Sequence, residues 1–122
     1  MRFWKSLGHA FDGLRLLTRE EPNFRIHLVW VVIVVAHAVF FSVSLLEWCL
    51  LAIVISGVFV TETINTSIEN AMDFVSTAKN PVIKRIKDLS AAAVLLAVFG
   101  AIAVGLAIFA PKYLALFQFL LQ

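Results

Sequence analysis

The sequence predicts an all-α membrane protein, with an N-terminal amphipathic helix in the interface and three transmembrane helices behind it. Three observations carry this reading. The 122 residues are 61% hydrophobic and only 15% charged, with a mean hydropathy of +0.95. A soluble domain this small cannot hide so much apolar surface in one core. The apolar residues gather in runs suited to a hydrocarbon layer about 30 Å thick. The positive charges gather too: Arg2, Lys5, Arg15, Arg19 and Arg25 precede the first run, and Lys79, Lys84, Arg85 and Lys87 lie between the second and third. Only Lys112 stands apart. By the positive-inside rule the N-terminus and the 76–88 loop are cytoplasmic, and the Glu47 turn and the C-terminus lie outside. No basic soluble module suggests a nucleic-acid partner. The single Cys49 excludes an internal disulfide framework.

Residues 2–19 form the surface helix. Phe3, Leu7, Ala10, Phe11, Leu14 and Leu17 share one stripe, while Lys5, Asp12, Arg15 and Arg19 fall opposite. An aromatic and aliphatic face backed by Lys and Arg suits a helix lying in the membrane interface. The polar junction "REEPNFRIH" (19–27) follows, with Pro22 placed to open a new helix. The first span is predicted over 26–46, long enough to cross. Glu47-Trp48 is read as the turn at the far interface, where Trp is favoured. His9, His27 and His37 show no metal-ligand spacing.

The second helix is predicted over 48–76. Its apolar part, Trp48–Val60, is too short to cross alone, so the helix must run on through "TETINTSIENAMD" (61–73). "STAKNPVIKR" (76–85) is the one clear loop, with Asn80-Pro81 as its breaker. The third helix is predicted over 88–109, its Ala- and Gly-rich part suited to close packing, and Pro111-Lys112-Tyr113 ends it. The whole chain, 1–122, reads as one membrane-embedded domain.

The stretch 61–73 carries the chemistry. At about 100° per residue, Asn65, Glu69 and Asp73 all fall within about 60° of Glu62 on one helical stripe. Glu62 lies fourteen residues past Trp48, roughly 21 Å along the helix, which puts it at or just inside the cytoplasmic boundary. An acid at that depth is costly and marks a functional site. Such a carboxylate can take a proton from a hydroxyl. A second one, a turn or two outward, could hold Mg²⁺, which binds one or two carboxylates together with phosphate oxygens and water. Glu20, Glu21, Lys87 and Asp88 reach the same level. Interhelical hydrogen bonding or a plain solvated face is the alternative use of these residues. No Walker loop or GxGxxG is present, so the residues alone do not reach ATP.

"ETINTSIENAMD" (62–73), followed by "IKDLSAAAVLL" (86–96), resembles the signature of the small bacterial integral-membrane lipid kinases, the prokaryotic diacylglycerol kinases and undecaprenol kinases. "SLGHAFDGL" (6–14), "EEPNFRIH" (20–27) and "LLEW" (45–48) extend the resemblance over nearly the whole chain. It implies a homotrimer in the bacterial plasma membrane, with sites shared between protomers, that transfers the γ-phosphate of MgATP to a lipid alcohol. Glu62 matches the family's catalytic base, and Glu21 and Glu69 its metal-binding carboxylates. Lys87 and Asp88 match its nucleotide-contacting pair. Asn65 matches the polar neighbour of the base, and Asp73 a supporting acid. Ala78, Lys79 and Asn80 align with nucleotide-contacting positions. Arg2 and His9 do so as well, with His9 standing where the enterobacterial branch has an aromatic. Phe24 and Arg25 align with positions near the lipid entrance. "NFRIH", "LEW" and the closing "GLAIFAPKYL" (105–114) resemble the Gram-positive members, which act mainly on undecaprenol; diacylglycerol is the alternative acceptor. Outside the family, a small ion-coupled transporter would use Glu62 as a proton relay but leaves Glu69, Asp73, Lys87 and Asp88 without a role. A non-catalytic membrane assembly subunit is a further alternative.

Overall fold

The computed structural model describes residues 1–122 as four helices: α1 Arg2–Glu20, α2 Pro22–Phe40, α3 Leu45–Val75 and α4 Pro81–Leu120. The last three are long and apolar enough to cross a membrane. Only eleven residues are buried, so most of the apolar surface of these helices lies on the outside of the chain and not in a core of its own. The chain is a multi-pass membrane protein. On α1 only Leu17 is buried, while Phe3, Trp4 and Phe11 stand exposed, as an interfacial helix requires.

Each boundary has a local cause. Glu21 alone joins α1 to α2; its extended backbone caps both helices, and Pro22 takes the first helical position, where its missing N–H loses nothing. The predicted first span of 26–46 is shorter in the structure at its far end, since α2 stops at Phe40. Ser42 adopts a left-handed φ of 48°. Its N–H donates to the Val39 carbonyl, and the Val43 N–H donates to the Ala38 carbonyl. This is a Schellman closure, with Val43 packed on Ala38 in the core. The turn therefore lies at Phe41–Ser44 and not at Glu47-Trp48. Ser44 and Glu47 instead form a capping box: Ser44 Oγ accepts from the Glu47 N–H at 3.3 Å, and Glu47 Oε2 accepts from the Ser44 N–H at 2.7 Å. Two orphan donors at the start of α3 are satisfied reciprocally.

α3 is continuous through the acidic stretch to Val75, about 46 Å at about 1.5 Å per residue. The loop is shorter than 76–85, because Asn80 caps α4 with its side-chain oxygen, accepting from the Val82 N–H at 2.8 Å, and Pro81 opens the helix. The predicted end at Pro111 is overturned. α4 continues through it to Leu120. The contacts that hold the far segment are long-range. Lys112 Nζ pairs with Glu47 Oε1 at 2.8 Å, and the Tyr113 ring meets Phe41 at 4.7 Å and His37 at 5.9 Å. Membrane helices tolerate proline where neighbours compensate.

α3 and α4 are antiparallel, tied by an ion pair at each end: Glu47–Lys112 at one and Asp73–Lys87 at the other. The small core of Ala38, Val43, Leu51 and Ile108 sits at the Glu47 end. The Asp73 end, where Lys79, Lys84, Arg85 and Lys87 gather, carries the polar residues.

Candidate active site

Two ion-paired ends fix the register of α3 against α4, and the register sets the site. Stepping from the Asp73–Lys87 pair brings Glu69 level with Ala91, Asn65 with Leu95 and Glu62 with Val98. These residues, with Val94 and with Asn23 from the first turn of α2, line an open cleft of about 290 Å³. One wall is polar and belongs to α3. The opposite wall is the small and branched apolar face of α4.

Glu62 is 3% exposed, a carboxylate set almost wholly inside the fold. Glu21, Glu69 and His27 lie near enough to interact with its charge. One turn on, Asn65 is also buried. Its Nδ2 donates to Glu69 Oε1 at 3.2 Å, which aims Glu69 along the stripe. The Asn65 Oδ1 is buried without a partner, as is the Ser90 hydroxyl on α4. Five other helical hydroxyls, those of Ser6, Thr18, Thr61, Thr63 and Ser67, bond back to their own preceding turn. Orphaned buried polar atoms are uncommon; Asn65 belongs to the cleft lining, and Ser90 precedes Ala91, which also does.

The structure brings together Glu62, Asn65 and Glu69 in one cleft, with Glu21 close by. Lys87 stands one turn from the cleft wall and is held by Asp73. Asp88 faces the surface and pairs with Lys84. Ala78, Lys79 and Asn80 lie on the exposed loop, where Asn80 is used in the cap and the Ala78 N–H donates to Ser76 Oγ. Arg2 and His9 sit on α1 outside the cleft lining. Phe24 is buried and its ring meets Phe59 at 5.0 Å. Arg25 reaches back to α1: its Nη1 donates to the carbonyls of Arg19 at 2.9 Å and Thr18 at 3.3 Å.

Two neighbours of the site were not assigned to it from the sequence: Asn23, which was not singled out, and His27, which was read only for metal-ligand spacing. Their spacing of four places both on one face of α2, and that spacing was the available signal. A second polar stripe was missed too. Thr63, Thr66, Ser67 and Asn70 face a gap of about 480 Å³ beneath Ala10, Gly13, Leu14 and Leu17 of α1. No three His, Cys, Asp or Glu side chains converge as a protein-only metal cage.

A multi-pass helical protein with a buried carboxylate and further acids at one end of its spans has the build of an enzyme acting on a membrane lipid. The comparisons give the class its family. The pattern of the prokaryotic diacylglycerol kinases matches residues 8–109. The Bacillus subtilis undecaprenol kinase is 34% identical over 111 residues, covering 91% of this chain and 90% of that one. A Helicobacter pylori diacylglycerol kinase is 36% identical over 95 residues, 78% of this chain and 74% of its own. The Escherichia coli K12 diacylglycerol kinase is 31% identical over 101 residues, 83% of each. The chain belongs to the prokaryotic diacylglycerol kinase family and is a lipid kinase.

Proposed function

We propose that this lipid kinase phosphorylates undecaprenol to undecaprenyl phosphate with MgATP, as a homotrimer whose sites are shared between protomers. The burial of Glu62 in a cleft beside the Asn65–Glu69 pair carries the mechanism. The choice of lipid is supported by the B. subtilis undecaprenol kinase, which matches over nine-tenths of both chains. The contact between the "LEW" and "APKYL" segments supports it as well. Both segments resemble the undecaprenol branch, and here they join through Glu47 and Lys112. The basic end of the bundle faces the cytoplasm, where ATP is.

The lipid hydroxyl donates a hydrogen bond to Glu62. As its oxygen forms the new bond to the γ-phosphorus, the proton passes to the Glu62 carboxylate. The bond from phosphorus to the β–γ bridging oxygen breaks, and ADP leaves with that electron pair. Such transfer is mostly positioning and charge stabilisation. The local oxygen donors suit Mg²⁺. Glu69 is already oriented by Asn65, Glu21 is close to Glu62, and fewer than three protein ligands are needed because phosphate and water complete the shell. Glu21 and Glu69 would hold the ion, which when bound would screen the phosphate charge. Lys87 stands where it can neutralise charge on the nucleotide. Arg2, His9 and the 78–80 loop contact nucleotide from the cytoplasmic surface.

The test uses purified protein in mixed micelles with labelled ATP and Mg²⁺, offered undecaprenol or diacylglycerol. Label in undecaprenol is expected. Preferential label in diacylglycerol would move the acceptor to the lipid named for the H. pylori and E. coli relatives. Glu62→Gln should lower turnover by about 10²–10⁴-fold, the usual weight of a general base, while the protein keeps its size and helicity. Near-normal turnover in that variant would remove Glu62 from the role of base.

A further inference from the structure

The family pattern ends at residue 109, and α4 runs on past it through Pro111 to Leu120. Lys112 stands about 38 Å along the helix from Lys87 at about 1.5 Å per residue, beyond a hydrocarbon core about 30 Å thick. Its ion pair with Glu47 at 2.8 Å marks the far rim of the bundle. Past that rim Tyr113, Leu114, Phe117, Phe119, Leu120 and Leu121 are all exposed, and residues 113–122 carry no charged side chain. At about 100° per residue these six side chains spread over about 220° of the helix. Ala115 and Gln118 fall together in the arc left over. Leu121 keeps helical backbone angles, so the pattern extends to Gln122, which joins them within about 60°.

We propose that residues 113–122 are an interfacial anchor seated in the lipid of the membrane face at the Glu47 end, with Ala115, Gln118 and Gln122 toward water and the rings toward the acyl chains. An upright α4 would reach about 50 Å from Lys87 to Leu120. A bilayer with its headgroups measures only about 40–45 Å, so the exposed rings would be pushed into water. A segment set obliquely has one wet side and one oily side. Only there does a narrow polar stripe opposite a broad apolar face match its surroundings. Pro111 sits where the change of direction is needed. It has no N–H to donate to the Ala107 carbonyl, and proline inside a helix is the common cause of a bend. Tyr113, first past the rim, is a residue favoured at headgroup level. The apolar face also continues the exposed surface of the span itself, since Ile102 and Leu106 stand outside on the same arc. Seated there, the anchor holds Lys112 and, through the ion pair, Glu47 at one depth.

The experiment places a nitroxide on single cysteines in the full-length protein, reconstituted in phosphatidylcholine–phosphatidylglycerol bilayers. Cys49, which is exposed, is first changed to alanine. Ala115→Cys and Gln118→Cys report the stripe, and Phe117→Cys and Leu120→Cys report the opposite face. Each label is read by collision with oxygen, which concentrates in hydrocarbon, and with a water-soluble nickel chelate. The nickel-to-oxygen ratio should be several-fold higher at 115 and 118 than at 117 and 120. These side chains lie outside the buried core, so the variants should elute and melt like the Cys49→Ala parent, and one folded variant on each face is enough for the comparison. High nickel access at every position would put the segment in water and overturn the inference. High oxygen access at every position would overturn it as well, because the stripe would then have no wet side. Low access to both reagents at 117 and 120 would mean that protein, such as a second copy of this chain, covers the face in place of lipid, and would equally overturn it.

Discussion

Arg25 straps the surface helix to the first span, and cutting the strap tests how Glu21 is held. Its Nη1 donates to the Arg19 carbonyl at 2.9 Å and the Thr18 carbonyl at 3.3 Å. Both carbonyls belong to the last turn of α1, where backbone acceptors lack helical partners. The intervening elbow is Glu21 itself, whose carbonyl accepts from the Arg25 N–H at 3.3 Å. Arg25 is exposed, so the terms are set low, and the longer bond below the usual hydrogen-bond range. The shorter bond contributes about 0.7 kcal/mol, the longer about 0.3, and the positive charge at a helix C-terminus about 0.3. The sum, about 1.3 kcal/mol, is close to a factor of ten in the opening equilibrium of the elbow. Arg25→Gln should therefore expose the Arg15–Glu21 segment about tenfold more often. Limited trypsin digestion in micelles reads this at Arg15 and Arg19, because cleavage tracks the open population when reclosing is fast. Arg25→Lys, which keeps the charge without the fork, should fall between. A non-hydrolysable MgATP analogue should bind Arg25→Gln more weakly, with the KM for lipid little changed. Unchanged trypsin protection together with unchanged analogue affinity would refute the strap. Weaker lipid KM with normal nucleotide affinity would assign Arg25 to the lipid entrance instead.

Two perturbations probe the opposite end. Ser42→Gly should raise the thermal midpoint in micelles, by about 0.5 kcal/mol of stability, because Ser42 holds a left-handed φ that glycine adopts without the Cβ clash. Ala38→Leu should lower the midpoint, by about 1–3 kcal/mol, since Ala38 is fully enclosed against Val43, Leu51 and Ile108 and extra volume has nowhere to go.

The sequence made the acidic stripe legible because it depends on one helix alone. Glu62, Asn65 and Glu69 share a face through angular spacing, and α3 keeps that spacing without interruption. The turn after α2 was harder to place. The apolar run continues through Phe40, Phe41, Val43, Leu45 and Leu46, so hydropathy marks no end. The terminator is a serine in the left-handed region, where glycine would have been the readable sign. Ser44-x-x-Glu47 was nevertheless a capping-box signature in plain view. Pro111 misled for the opposite reason. Its local preference is to break a helix, but Glu47, Phe41 and His37, distant in sequence, hold the residues beyond it. Asn23 and His27 were missed because a residue's place in a cleft is set by the α2–α3 packing, which angular spacing on one helix does not reveal.

That division between local and long-range causes also separates the two ends of the molecule. At the Glu47 end, an ion pair, a capping box and a cluster of rings tie the chain's second, third and fourth helices together. Its polar groups are spent on one another: Glu47 serves both Ser44 and Lys112, and the His37 Nδ1 bonds to the Ile33 carbonyl. At the Asp73 end the surface charges pair too, Asp73 with Lys87 and Asp88 with Lys84, but some buried groups do not. The Asn65 oxygen and the Ser90 hydroxyl remain unpaired, Glu62 is buried with no hydrogen bond to a fixed donor, and the cleft is open. Unsatisfied polar groups lower stability, and here they gather at the end that carries the cleft. The brace has a geometric effect on the site. Because α3 and α4 are pinned at Glu47–Lys112 and again at Asp73–Lys87, the level of Glu62 relative to Val98 is fixed between two anchors. Sliding α4 by one turn, about 5.4 Å, would break both pairs at once and carry Lys87 away from the acids. The depth at which the carboxylate meets a hydroxyl is therefore set by residues at both ends of the bundle.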